Sequence, residues 1–222
     1  MAGGRVGGRA VFWDWATVFA PKGPSWGRCL YLALGPWARR LEVTPAQLDR
    51  RLPKAPKGLS GAAWWEERTA ACEGLLRELG LPEPWVELCA RRVRTVALCP
   101  ALWTVKGEAV PALALACYQG CENYLIGDAL PEALGLLVRL HLGQFFSGGL
   151  WSGQAGAGYW QPGFLQKVWE AAGRPAYCVL AGGTPGQRET AQALGWRTVK
   201  KAGEKGPAGL AVKGWSQLDR YL

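Results

Sequence analysis

Residues 10–14, "AVFWD", run apolar without a break until the aspartate. A run this short predicts a strand buried on both faces, with Asp14 at its C-terminal end. Pro21, Lys22, Gly23 and Pro24 then punctuate the chain. The spacing becomes helical afterwards. "SWGRCLYLALGPWARRLEV" opens with Ser25, a candidate N-cap, and "TPAQLDRRL" opens with Thr44 as cap and Pro45 as first helical residue. "LPKAPKGLS" (52–60) is a Pro/Gly/Lys loop. "AAWWEERTAACEGLLRELG", which stops at Gly80, and "PEPWVELCARRVRTVAL" are two more amphipathic helices. Residues 24–97 therefore predict a helical bundle.

Beyond it the pattern alternates. "PALALAC" (111–117) predicts an apolar strand, "LPEALGLLVRLHLG" (130–143) a helix, and "QFFSGGLW" a short strand. "QPGFLQKVWEAAG" is a helix between Pro162 and Gly173, and "AYCVLAGG" (176–183) is a strand running into a glycine loop. "GQRETAQALG" is a helix, "WRTVK" a strand, and "GLAVKGWSQLDRYL" a closing strand and helix. Strands separated by single helices predict right-handed crossovers, hence an α/β fold: a Rossmann-like parallel sheet with helices on both faces and an inserted helical bundle. Sites in such sheets lie beyond the C-terminal strand ends. Asp14, Cys117 and the Gly182-Gly183 loop are expected there.

Composition narrows the classes. The chain has 222 residues, 49% of them hydrophobic, enough for one core with an insert. Thirteen Trp imply heavy aromatic packing, with Trp13, Trp15, Trp64, Trp65, Trp103, Trp151 and Trp160 as core or interface candidates. The net charge is +9, but the basic residues fall in scattered pairs, Arg39-Arg40, Arg50-Arg51, Arg91-Arg92 and Lys200-Lys201. Without a basic tract carrying interleaved aromatics, they read first as solvated surface and only weakly as a nucleic-acid face. Seven Cys without paired CxxC knuckles imply reduced thiols. "MAGGRVGGRA" has no apolar signal core, and no stretch is long enough to cross a bilayer. The expectation is a cytoplasmic protein with no membrane partner, its "GGRVGG" a flexible tail.

Two constellations need weighing. Cys117 and Cys121 form "CYQGC". A zinc site wants four ligands and His141 is the only histidine, so buried thiols are the stronger reading. "AGGTPGQRE" opens a helix after a strand, where N–H groups can cradle an anion, although it fits neither common phosphate-loop pattern. Trp15, Ala16, Gly182, Gly183 and Thr184 are thus candidate ligand contacts.

Four blocks in order carry a resemblance: "VFWDWATVF", "ALALACYQG", "GYWQPGFLQKVWEAAG" and "YCVLAGGTPGQRETAQALGW". Together they resemble the motifs of the haloacid dehalogenase (HAD) superfamily, in the subgroup with a helical cap after the first strand. The resemblance covers nearly the whole chain. It implies a core of 1–19 and 99–222 and a cap of 20–98. It places Asp14 at the nucleophile position, with Ala16 where a general acid stands and Val18 where a threonine stands. Cys117 falls on the second-motif hydroxyl, Gln161 on the third-motif lysine, and Gly183 and Gln187 on the fourth-motif acids. Arg188 is a neighbouring cation about 100° round its helix from Gln187.

The substitutions have chemical consequences. Family members that use Mg²⁺ hold it with the nucleophilic carboxylate, a backbone carbonyl two residues on, and a fourth-motif acid. Asp14 and the Ala16 carbonyl remain here, but a hard cation wants more carboxylate oxygen, so Mg²⁺ binding is expected weak or absent and no cofactor is implied. Ala16 cannot donate a proton, a role typically worth ~10²–10⁴ in rate. The dehalogenases proper use the aspartate without metal and lack that acid, but they keep the lysine and an aspartate that activates water. The expectation is a pseudoenzyme that binds a protein partner or small ligand. The alternatives are a hydrolase acting through Asp14, either dehalogenase-like or a weak phosphatase, and a nucleic-acid binder.

Overall fold

Strand β1 (Arg9–Asp14) lies in the middle of the sheet because both of its faces are apolar. Alternate side chains point to opposite faces. Val11 and Trp13 enter one buried cluster, and Ala10 and Phe12 enter another. The computed structural model describes residues 8–19, 23–54, 59, 61–127, 130–155, 161, 163–204 and 209–222. The expected N-terminal tail (except Gly8), Pro21, Lys22, most of the 52–60 loop, Trp160 and Pro162 lie outside these.

After β1 come the single turn α1 (Trp15–Val18), then α2 (Trp26–Leu34), α3 (Trp37–Arg40), α4 (Pro45–Arg51), α5 (Gly61–Glu78) and α6 (Glu83–Ala97). The remainder alternates: α7 (Ala109–Tyr118), β2 (Glu122–Gly127), α8 (Ala133–Arg139), β3 (Gly148–Trp151), α9 (Ser152–Ala155), α10 (Gly163–Ala171), β4 (Tyr177–Ala181), α11 (Pro185–Ala193), β5 (Arg197–Lys201) and β6 (Leu210–Val212). Among the described residues the sheet has six strands in the order β3-β2-β1-β4-β5-β6, and every neighbouring pair is parallel. The expected α/β sheet is present, with α7 packed on one face and α10 and α11 on the other.

Several elements differ from expectation. Residues 111–117 are not a strand but the body of α7. Their Ala and Leu residues have high helix propensity, none but Val110 is β-branched in the whole helix, and Pro111 sits in the first turn, where its missing N–H costs nothing. The strand is the next segment, "ENYLIG". The helix expected from Ser25 breaks at Gly35, whose φ is 57°, followed by Pro36. The helix expected over 130–143 is ordered as α-helix only over Ala133–Arg139, and the closing helix is a 3₁₀ segment, Trp215–Tyr221.

The inserted helices have their own apolar cluster, from Cys29 to Ala97, joined by Leu130 from just after β2. Glu132, just before α8, ties the two together. It accepts the Trp65 indole N–H at 2.6 Å and pairs with Arg94. On the other side, the Trp13 indole donates to Asn123 at 2.8 Å, and the Asn123 amide donates to the carbonyls of Leu113 and Phe145. That fully buried amide ties β1, β2 and α7 together, because a buried polar group must be partnered.

Candidate functional site

Asp14 ends β1 with 7% of its surface exposed. Its carboxylate accepts the Ala16 N–H at 2.8 Å, so the residue caps the turn that follows it. Two glycines crowd that turn. Gly127 ends β2 one position beyond the Asp14–Ile126 register, and a Cβ there would lie 2.7 Å from that of Trp15. Gly182 follows β4, where a Cβ would fall 2.1 Å from the Thr17 hydroxyl and 3.3 Å from the Cβ of Asp14. The Thr17 hydroxyl spans this gap and donates to the Ala181 carbonyl at 3.2 Å.

Lys106 closes the other side. Its backbone N–H donates to the Val18 carbonyl at 2.9 Å, and its neighbour Val105 bridges Phe19 in antiparallel fashion. So anchored, the side chain reaches back over the turn, and its ammonium donates to the Ala16 carbonyl at 2.6 Å. Carbonyls at the end of a helix lack intrahelical partners, and here a full positive charge supplies one.

The predicted residues fare differently. Asp14, Ala16 and Gly182 come together at the turn. Gly183 follows at φ 82°, and Thr184 caps α11. Gln187, 6% exposed, accepts the Thr184 N–H at 2.7 Å through its own side chain. Trp15 does not face a ligand cleft: its side chain is 3% exposed and packs against Phe19 and Trp103 at centroid distances of 4.5 and 5.2 Å. Arg188, 1% exposed, donates to the Gly183 carbonyl and lies 3.7 Å from Glu204. Gln161 is exposed just ahead of α10. Cys117 is misplaced by the sequence reading. It is an exposed residue of α7, 3.7 Å from the Phe145 carbonyl and beside Asn123 near the start of β2, because the segment is helical. The strand beside Asp14 ends instead at Gly127, which has no hydroxyl.

Thr17, Gly127 and Lys106 were missed. Thr17 lies just past the strand end recognised at Asp14, whereas Gly127 ends a strand that the sequence reading placed at 111–117. Lys106 carries no sequence signal, because it reaches the turn through a bridge 90 residues along the chain.

These donors do not fit a divalent cation. Of the expected ligands, Gly183 and Gln187 offer no carboxylate, and the Ala16 carbonyl already holds an ammonium. The buried thiols lie elsewhere: desolvation pushes Cys29 and Cys178 up to about 12 and Cys72 to about 11.

No family model matches the sequence, and no curated protein matches it. Solved structures do. A 2-haloacid dehalogenase from Pseudomonas syringae pv. tomato DC3000 superposes with a TM-score of 0.70 and 19% identity, covering 96% of this chain and 97% of that one. A HAD-superfamily hydrolase of subfamily IA, variant 1, from Geobacter sulfurreducens PCA matches over 100% of both chains, with a TM-score of 0.61 and 16% identity. A HAD phosphatase from Thermococcus onnurineus reaches 0.59 at 15% identity, covering 96% and 97%. The parallel sheet, the helical insert after β1 and the aspartate ending that strand define the class: this chain has the haloacid dehalogenase superfamily fold. None of its helices is long and apolar enough to cross a membrane, among the described residues.

Proposed function

We propose that this protein binds a ligand in a HAD-type cleft without hydrolysing it. The observation that carries this reading is the fate of the helper positions around Asp14. Ala16 has no proton to give. Gln187 is engaged in capping its own helix, and Arg188 is turned to Gly183 and Glu204. A covalent intermediate on Asp14 would still need an activated water, and the residues at the expected positions include no base. The ligand is a small molecule or a protein side chain entering from the C-terminal strand ends.

A second reading has one observation in its favour. Lys106 puts a positive charge against the Asp14 turn, and several similar folds are named dehalogenases. Displacement of halide by Asp14 needs neither metal nor proton donor. One experiment separates the two: hydrolysis of an aryl phosphate and of a 2-haloacid, with and without Mg²⁺, beside Asp14→Asn. We expect rates equal to that variant's background. Metal-independent haloacid turnover that vanishes with Asp14→Asn would replace the binding reading by the hydrolase reading.

A further inference from the structure

We infer that Lys106 stands in for the divalent cation of this fold: a tethered ammonium takes the carbonyl that a metal would use and makes the Asp14 site metal-excluding. The inference goes beyond the binding reading and holds whether or not Asp14 turns anything over.

The argument starts with attachment. A lysine on a mobile loop would release a carbonyl readily, but Lys106 is held at both ends. Its N–H is bonded to Val18, its carbonyl accepts from Ala109 at 2.9 Å, and Val105 is bridged to Phe19. Val18 and Phe19 belong to the turn Asp14 opens, so carboxylate, carbonyl and ammonium move as one unit. The bond length of 2.6 Å is short, as expected for a charged donor.

Charge comes next. Mg²⁺ requires near-octahedral oxygen ligands at about 2.0–2.1 Å. To use the Ala16 carbonyl it must expel the ammonium, and to use Asp14 alone it must sit close to a like charge. Neither fourth-motif position offers an anion in return. Asp14 and Lys106 instead sum to zero charge. The Asp14 turn therefore already carries the positive charge that a Mg²⁺ ion would bring to it.

The test is metal uptake by the full chain, read from the electron paramagnetic resonance signal of free Mn²⁺ and by calorimetry. The wild type should show no Mn²⁺ uptake that Asp14→Asn abolishes, up to millimolar metal. Lys106→Glu replaces the blocking charge with a second carboxylate in reach of the Ala16 turn. It should bind one Mn²⁺ at least ten-fold more tightly than the wild type, and Asp14→Asn on that background should remove the gain. Asp14-dependent uptake by the wild type would overturn the inference, and so would a folded Lys106→Glu protein with no gain. Should that variant fail to fold, Lys106→Met takes its place: it frees the Ala16 carbonyl, and Asp14-dependent Mn²⁺ uptake no stronger than the wild type's would likewise overturn the inference. Failure of the binding reading appears separately, as turnover in the hydrolysis assay.

Discussion

Two helices in different parts of the molecule begin with nearly the same four residues. Thr44-Pro45-Ala46-Gln47 opens α4 among the inserted helices, and Thr184-Pro185-Gly186-Gln187 opens α11 beside Asp14. Both form the same reciprocal capping box. The threonine N–H donates to the glutamine side chain at 2.8 Å in α4 and 2.7 Å in α11. The glutamine N–H donates back to the threonine hydroxyl at 3.3 and 3.4 Å. Gln187 stands where the resemblance implies an acid, yet its side chain does what Gln47 does in a helix with no candidate chemistry. A residue at a catalytic position of the fold can thus take part in the start of its helix as an ordinary capping residue does.

The difference lies in the approach. Before Thr44 the chain turns through Glu42 at φ 50°, and before Thr184 through Gly182 and Gly183 at 87° and 82°. The insert tolerates a side chain in the left-handed region, while the β4–α11 turn is packed against Thr17. Gly182→Ala should therefore show the largest effect, a loss of about 2–4 kcal/mol from left-handed strain plus the displaced Thr17 hydroxyl. Glu42→Gly should gain up to about 1 kcal/mol by relieving strain. Urea melts measure both. A loss below about 1 kcal/mol for Gly182→Ala would mean that the site turn is no tighter than its counterpart.

Alkaline pH compares the same two regions through their buried thiols. Cys29 and Cys72 lie among the inserted helices and Cys178 on β4, and burial raises all three above the ordinary 9.0. A raised acid contributes stability that is complete below pH 9. The contribution falls as the unfolded thiols ionise and is gone above the folded values of about 11–12. Between pH 8 and 10 the expected loss is on the order of 1 kcal/mol per thiol. Cys29→Ala should flatten the pH slope by about one thiol's share, even if it lowers stability at both pH values. An unchanged slope would show that this thiol ionises as readily folded as unfolded.

Much of this was legible in the sequence, and the failures have physical causes. The apolar run into Asp14 and the Thr-Pro openings are local signals, and they located β1, α4 and the strand-to-helix turn at Gly182. "PALALAC" was misread because a short apolar run has no periodicity to separate strand from helix. Ala and Leu, with no β-branched residue in the run, were the better guide. That one error moved the second strand end from Gly127 to Cys117. Lys106 was beyond reach for a different reason: its role depends on the Phe19–Val105 bridge, and nothing near "TVKGE" points to a partner at Ala16.

The finest distinction between the two boxes comes from Gln47→Glu and Gln187→Glu. Glutamate keeps the acceptor that the box needs and adds a negative charge in the first helical turn, favourable by about 0.3–1 kcal/mol at an exposed helix start. Gln47 is exposed and should realise that gain. Gln187 is 6% exposed, and desolvation of the new carboxylate opposes the helix dipole, so its stability should change by less than about 0.5 kcal/mol. Hydrolysis by Gln187→Glu should stay at the Asp14→Asn background, since the side chain remains folded onto Thr184 and Lys106 still holds the Ala16 carbonyl. Mg²⁺-dependent turnover in this variant would break the comparison: the carboxylate would have left its box for the Asp14 turn, as Gln47→Glu has no site to do.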